Sequence, residues 1–513
     1  MILFTTMFCL DLGCYIVTGT GITSPITLII LQTDFSEAAE FIAGHGVSLL
    51  IIMMILAACS IVGVAKIDNR WKKSKLLSKV ETGLSSNLSI LICSVFAVAS
   101  ISSVILSISI YHIRYLNYWD RCSRISLLSA PSIYFIVVND AIKEVMAYDG
   151  NAIALTNASV PAAVDTPSDT LSIVLIIGES HNKHRSNLYG YFMNTNPRMA
   201  AYSDSGSLVV FNDIISHSNV TREVIPYMLS TRSYTGTTPY AQSPLLPALM
   251  KKAGFHTSFF CNQTIISKEK GFDFSCFAFL SKSSIIRQCF DIISKRLYQY
   301  DGELVDDLPP SKSHLMNFYI YHLMGQHYLA SERYPEEFNR FQPSHYSSLP
   351  CSSENQYKLM AEYDNACLYN DFVIDKIISY VKDSNSIVIY LSDHGEECYD
   401  YGGVFGRKYD CYVPATLKTS YQVPMWIWMS QTYMQKHPQV VAQLRKNVNK
   451  KLYNTDIAHT ILDLAGIKTP AYRPECSLLA DTVRTGHRPI GAHRRFDYDA
   501  NRAAVDSIRL IYQ

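Results

Sequence analysis

Four residues far apart in the chain have the types of one metal centre: Glu179, Thr221, Asp393 and His394. Glu179 closes the apolar run Ser172-Ile173-Val174-Leu175-Ile176-Ile177-Gly178, and Asp393-His394 closes Ile387-Val388-Ile389-Tyr390-Leu391-Ser392. Two short β-branched runs, each delivering an acid or imidazole at its C-terminal end, predict a parallel α/β sheet with a polar site at that edge. Carboxylate, imidazole and hydroxyl together make a zinc set suited to phosphoryl or sulfuryl transfer. An Asp and the next His point to opposite faces of a strand. Both reach one ion only where the strand ends and the chain turns, which Gly395 permits. A plain hydrogen-bonded Asp-His pair and a helix-capping Glu179 are the bland readings. The joint occurrence favours the metal.

The segment His217-Ser218-Asn219-Val220-Thr221-Arg222-Glu223-Val224-Ile225-Pro226 predicts a helix starting near Asn219 or Thr221, whose free N–H groups favour a phosphate. Thr221 is a candidate nucleophile, since a hydroxyl beside zinc loses its proton more easily than in water. Thr221 could equally cap that helix, and these residues alone do not choose it over Ser216 or Ser218. His322 and His327 follow another strand-like run. They could hold a substrate phosphate, bind a second metal or protonate a leaving group.

The elements that must position these groups alternate. Strands are predicted at 173–178, 207–211, 257–261, 316–321, 387–392 and 423–428, with helices at 244–253, 354–382 and 456–465, the last closed by Gly466. This order predicts an α/β sandwich with a mostly parallel sheet over residues 171–513. Residues 112–170 read as a connector with one helix and a Ser/Thr/Ala/Pro linker.

Residues 1–111 hold three apolar stretches, 1–18, 47–65 and 90–110, and no Lys or Arg precedes Lys66. The second and third have the length and lack of charge of membrane-spanning helices. Lys66, Arg70, Lys72, Lys73, Lys75 and Lys79 crowd the loop between them, which places that loop in the cytoplasm. The chain after about residue 111 is then expected on the outer face, in a periplasm. Basic and acidic residues number 45 and 44, which argues against a nucleic-acid partner. Of 13 cysteines, those beyond the apolar stretches fall where disulfides form. Cys398–Cys411 is the favoured pair, and Cys261–Cys276 a weaker one.

Together these segments resemble the membrane-bound phosphoethanolamine transferases of Gram-negative bacteria, within the alkaline phosphatase/sulfatase superfamily. The resemblance rests on Gly178-Glu179-Ser180, Leu188-Tyr189-Gly190-Tyr191, Thr195-Asn196-Pro197, Thr221 to Pro226, His322-Leu323-Met324-Gly325-Gln326-His327, Arg333-Tyr334-Pro335-Glu336 and Ser392-Asp393-His394-Gly395-Glu396. Their wording looks most like the branch that modifies the lipopolysaccharide core. It implies an alkaline phosphatase-like fold behind an N-terminal transmembrane part, in a multi-pass protein of the bacterial inner membrane with a periplasmic catalytic domain. It implies zinc on Glu179, Thr221, Asp393 and His394. Thr221 would take phosphoethanolamine from phosphatidylethanolamine and pass it to a lipopolysaccharide hydroxyl or phosphate. His327 and His322 match family histidines at the substrate or at a second zinc, and Thr33 and Glu37 match a lipid-headgroup segment.

There are departures. The family has about five spans against three here, so further apolar spans are expected in frame upstream of Met1. Ile29 stands where the lipid A branch has Asn. His217 and Tyr227 stand where that branch has cysteines bracketing the nucleophile. No imidazole follows Asp-His-Gly in Gly406-Arg407-Lys408-Tyr409, so one zinc is expected, with Lys408 or Arg407 as a phosphate-binding cation. A phosphoglycerol transferase is the nearest enzymatic alternative, and an inactive membrane scaffold the non-enzymatic one. An arylsulfatase is disfavoured, since no Cys/Ser-x-Pro-x-Arg motif is present.

Overall fold

The computed structural model describes residues 170–236, 243–264, 277, 280, 283–307, 314–351, 353–401, 405–407, 411–491 and 494–513. The apolar stretches, the connector, Thr33, Glu37, Lys408 and Cys276 lie outside the described residues. Among the described residues no helix is long and apolar enough to cross a membrane.

Alternation along each central strand builds the layers. In β1 (Leu171–Gly178) every residue is buried. Ile173, Leu175 and Ile177 face one hydrophobic cluster, and Val174 and Ile176 face another. A sheet apolar on both faces must be covered on both, which is the signature of parallel α/β architecture. Each fully buried Ile, Leu or Val contributes about 1.5–3 kcal/mol relative to exposure.

Six further strands complete the sheet: β2 (Leu208–Val210), β3 (His256–Cys261), β4 (Ile292–Ile293), β5 (Met316–His322), β6 (Ser386–Ser392) and β7 (Met425–Met429). Their order is β2-β7-β6-β1-β5-β3-β4. β1 pairs in parallel with β5 and β6, and β3 with β5 and β4. Only β7 runs antiparallel, against β2 and β6. The sheet is therefore mostly parallel, as the alternating pattern predicts. The two-residue β4 is too short to leave a periodic signal.

Three helices matter for the site. Thr221–Met228 is α1, Glu354–Val381 is α2 and Ile457–Leu464 is α3. The inner side of α2 carries Tyr363, Cys367, Val373, Ile374, Ile377 and Val381 onto the Val174/Ile176 face. Ile457, Ala458, Ile461 and Leu462 of α3 pack on the opposite face.

Cys398, Cys411 and Cys261 are free thiols, so the favoured Cys398–Cys411 disulfide is not present. Cys398 is fully buried in the α2-side core, with its N–H on Asp400 and its carbonyl on Arg185. Cys411 lies instead beside Thr416. The buried Arg185 explains that burial. It bonds Asp400 at 2.7 Å, Asp364 at 3.0 Å and Tyr191 at 3.1 Å, and so draws the Leu-Tyr-Gly-Tyr segment, α2 and the loop after β6 together.

Candidate metal centre

The parallel order puts the C-terminal ends of β1, β6, β5 and β3 side by side. Glu179 is the residue after β1, and Asp393 and His394 follow β6. Carboxylate oxygens of Glu179 and Asp393 and a ring nitrogen of His394 lie within 4.8 Å of one another, and all three residues are buried. His394 Nε2 is 3.0 Å from Asp393 Oδ2 and 3.5 Å from Glu179 Oε1.

Thr221 arrives from the other side. Val220, in extended conformation, caps α1, so Thr221 is its first residue. Its Oγ1 donates to Glu179 Oε2 at 3.0 Å and lies 3.1 Å from His394 Nε2. Ser216 and Ser218 are engaged in the preceding loop instead: Ser216 Oγ donates to the Ser218 carbonyl, and Ser218 Oγ accepts from Val220 N–H. The loop is braced by rings, with His217 stacked on Tyr234 at 4.1 Å and tilted against Tyr227 at 4.8 Å.

Local backbone chemistry fixes the acids. Ser180 adopts a left-handed conformation, φ 57°, which costs a non-glycine residue roughly 1–2 kcal/mol. Three bonds hold it there: Ser180 Oγ to Glu179 Oε1 at 2.7 Å, Ser180 N–H to Asp393 Oδ1 at 3.0 Å, and Tyr363 OH to the Ser180 carbonyl at 2.5 Å. Gly395 is needed for space, and its φ is not positive: a Cβ there would stand 2.1 Å from the Thr419 carbonyl oxygen.

The electrostatics are those of a site short of positive charge. Burial pushes the Asp393 carboxyl well up, and the nearby Glu179 charge adds to it. Burial acts on Glu179 the same way, but His394, His327 and Arg407 hold its carboxyl below the usual range. Burial and then Arg407 push His394 down to about 3, so its ring is neutral and able to ligate. Asp393 Oδ2 is buried with no hydrogen-bond donor. Two enclosed carboxylates, an unprotonated imidazole and a hydroxyl converging on one point fit a divalent ion with N/O preference such as zinc.

The other expected residues spread around this point. His327 lies near enough for its charge to act on both Glu179 and His394. His322 ends β5 fully buried, its Nδ1 3.3 Å from Cys261 Sγ and its ring against Phe277, and burial lowers it to about 4. Of the two cations after Asp-His-Gly, Arg407 is the one among the described residues. Its Nη1 contacts His394 Nε2 and donates to the Asn219 carbonyl at 3.2 Å, and its Nε pairs with Glu396 at 3.1 Å.

Two neighbours went unread in the sequence. Gln263 Nε2 donates to Glu179 Oε2 at 3.1 Å and to the Leu323 carbonyl at 2.8 Å. It stands two residues beyond β3, so the strand-end rule that finds Glu179 reaches it too. Asn454 bonds the carbonyls of Ser392 and Asp393 from far down the chain, with no local signal.

The sulfatase family model matches residues 172–467, more than half the chain. The chain belongs to the sulfatase family. This sulfatase domain is 28% identical over 354 residues to the phosphoethanolamine transferase EptC of Escherichia coli K12, covering 65% of this chain and 58% of that protein. Phosphoethanolamine transferase CptA of Salmonella typhimurium is 30% identical over 347 residues, covering 64% and 57%. The chain thus spans less than two thirds of these relatives' length. Among solved structures, the C-terminal periplasmic domain of EptC from Escherichia coli, a complex with Zn, superposes with a TM-score of 0.58 at 27% identity, covering 66% of this chain and 96% of that one. The integral membrane protein EptA of Neisseria meningitidis shares the fold, with a TM-score of 0.63 at 19% identity over 94% of this chain and 87% of its own.

Proposed function

We propose that this protein transfers phosphoethanolamine from phosphatidylethanolamine to lipopolysaccharide through a phosphorylated Thr221, with one zinc held by Glu179, Asp393, His394 and Thr221. The observation that carries the reading is the Thr221 hydroxyl within 3.1 Å of both Glu179 and His394. The zinc complex of the EptC domain supports the metal. The names of the relatives support the transferred group, and one of them, Kdo(2)-lipid A phosphoethanolamine 7''-transferase of Escherichia coli, supports a lipopolysaccharide acceptor.

Bound there, zinc supplies positive charge that eases deprotonation of a hydroxyl and offsets charge on a phosphoryl group. Glu179 Oε2 accepts the Thr221 proton and aims Oγ1 at the phosphorus. A bond forms from Oγ1 to phosphorus as the bond to the diacylglycerol oxygen breaks, and that oxygen leaves with a proton assigned to His327. Arg407, beside His394, binds phosphoryl oxygens, while His322 backs the segment carrying His327. In the second half, an acceptor oxygen attacks phosphorus as the bond to Thr221 breaks; an attacking hydroxyl gives its proton to His327, a phosphate oxygen leaves His327 to regain one from water, and Oγ1 takes back the proton held by Glu179. Thr33 and Glu37 are assigned to the donor headgroup, and Lys408 to substrate phosphate. The apolar stretches of residues 1–111 anchor the protein in the inner membrane, with residues 171–513 in the periplasm.

Mass spectrometry of lipopolysaccharide from cells expressing either form tests this reading. The parent protein adds the phosphoethanolamine mass and Thr221→Ala does not. Addition by the variant would remove Thr221 from the reaction.

A further inference from the structure

Lys183, Lys418 and Arg502 line a polar cavity of about 220 Å³ together with Asp213 and Asp506, and Glu179, Thr221, Asp393 and His394 are not part of its lining. Asn212 and Asp506 are exposed at its rim, so the cavity opens to solvent. Its charges do not cancel locally. Asp213 is taken by Arg488 at 2.7 Å and by Arg502, and Arg502 also reaches Asp506 at 3.4 Å. Lys183 and Lys418, each more than nine-tenths buried, have no carboxylate within ion-pair distance among the described residues. Lys183 donates to the Asn212 carbonyl at 2.5 Å. Lys418 donates to the Ile508 carbonyl at 2.6 Å and more weakly to Gln513.

A buried ammonium is costly without a counter-charge, and here two line one cavity. Burial lowers both amines, Lys183 to about 8, and the charges of Asp213 on Lys183 and of Asp506 on both offset it only in part. Apart from Ile214 and Ile215, the remaining wall is polar. His184 Nε2 lies 2.8 Å from Gln422 Oε1, and the Gln422 amide donates to Tyr498 OH at 2.7 Å. Such a wall suits hydroxyl groups and excludes an acyl chain.

We infer that this cavity is a second anion site that takes a phosphate monoester carried on a sugar, with Lys183 and Lys418 as its phosphate-binding cations. The inference goes beyond the transferase reading and does not depend on it, because it concerns binding alone.

Isothermal titration of the purified full chain in detergent, with glucose 1-phosphate, inorganic phosphate and glucose in parallel, tests the site. The parent protein is expected to bind glucose 1-phosphate and not glucose. Lys418→Met is expected to weaken that binding by about tenfold or more, the loss of one charge-assisted hydrogen bond, with zinc content unchanged. Tighter binding of glucose 1-phosphate than of inorganic phosphate supports the sugar-borne ligand. Equal binding of the two, lost in the variant, supports the anion site and overturns its sugar specificity. Should Lys418→Met fail to fold, Lys183→Met, on a different segment, carries the same expectation. Unchanged affinity in the folded variants, or equal binding of glucose, would overturn the site.

Discussion

The main-chain N–H of Ser180 donates to Oδ1 of Asp393 at 3.0 Å. The residue after the β1 acid thereby fixes the acid after β6, while its hydroxyl holds Glu179. Ser180→Ala keeps the N–H bond and removes the hydroxyl, leaving Glu179 held on Oε2 alone, by Thr221 and Gln263. Loss of such an outer partner lowers metal affinity by about 10–100-fold. Competition with a chromophoric chelator measures it, and parental affinity in the variant would show that the Ser180 hydroxyl orients nothing.

Arg407 brings a fixed cation to the metal centre. Arg407→Ala is expected to slow transfer by roughly 10–100-fold, the loss of one or two charge-assisted bonds to phosphate. Zinc stoichiometry should stay at one per chain, read by elemental analysis alongside the transfer assay. Loss of zinc in the variant would make Arg407 a structural prop of the ligands.

A Cβ on Gly395 would meet the Thr419 carbonyl oxygen, which is backbone and cannot swing away. Gly395→Ala therefore pushes the turn after His394 off the loop it rests on, at a cost of about 1–3 kcal/mol. A lower melting temperature together with weaker zinc binding is expected. A parental melting curve would contradict the packing described.

Arg488 is buried between Asp213 and Asp499. Burial opposes ionisation of Asp499, but the hydrogen bond and charge of Arg488 win and hold its carboxyl below the ordinary 3.8. A depressed folded value means that the stabilisation is complete above the unfolded pKa of about 3.9. It is lost as pH falls through the folded value. Melting temperature should drop below about pH 4 in the parent. Arg488→Met should be less stable at neutral pH and show a shallower acid loss, because Asp499 then gains by protonation. An acid limb as steep as the parent's would rule out this pair as its source.

What could be read in advance follows from range. Glu179 and Asp393-His394 stand at the ends of apolar runs, and a strand end is a local property, so sheet and edge are visible in the residues that form them. Thr221 was separable from Ser216 and Ser218 only once Glu179, 42 positions away, was placed beside it. Ser180 gives no local sign of its left-handed turn, because the bonds enforcing it come from Asp393 and Tyr363. Gly395 reads as a turn glycine, yet the contact that requires it belongs to Thr419. The Cys398–Cys411 expectation failed for the same reason: spacing brings two thiols into range, but the Arg185 network decides which way Cys398 faces.

The central claim is a phosphoryl group on Thr221. Purified full chain loaded with zinc, incubated with phosphatidylethanolamine without acceptor, then digested and fragmented by mass spectrometry, tests it most directly. Phosphoethanolamine on Thr221, discharged when lipopolysaccharide is added, is the predicted result. The group on Ser216 or Ser218, or transfer proceeding with Thr221 never modified, would contradict it.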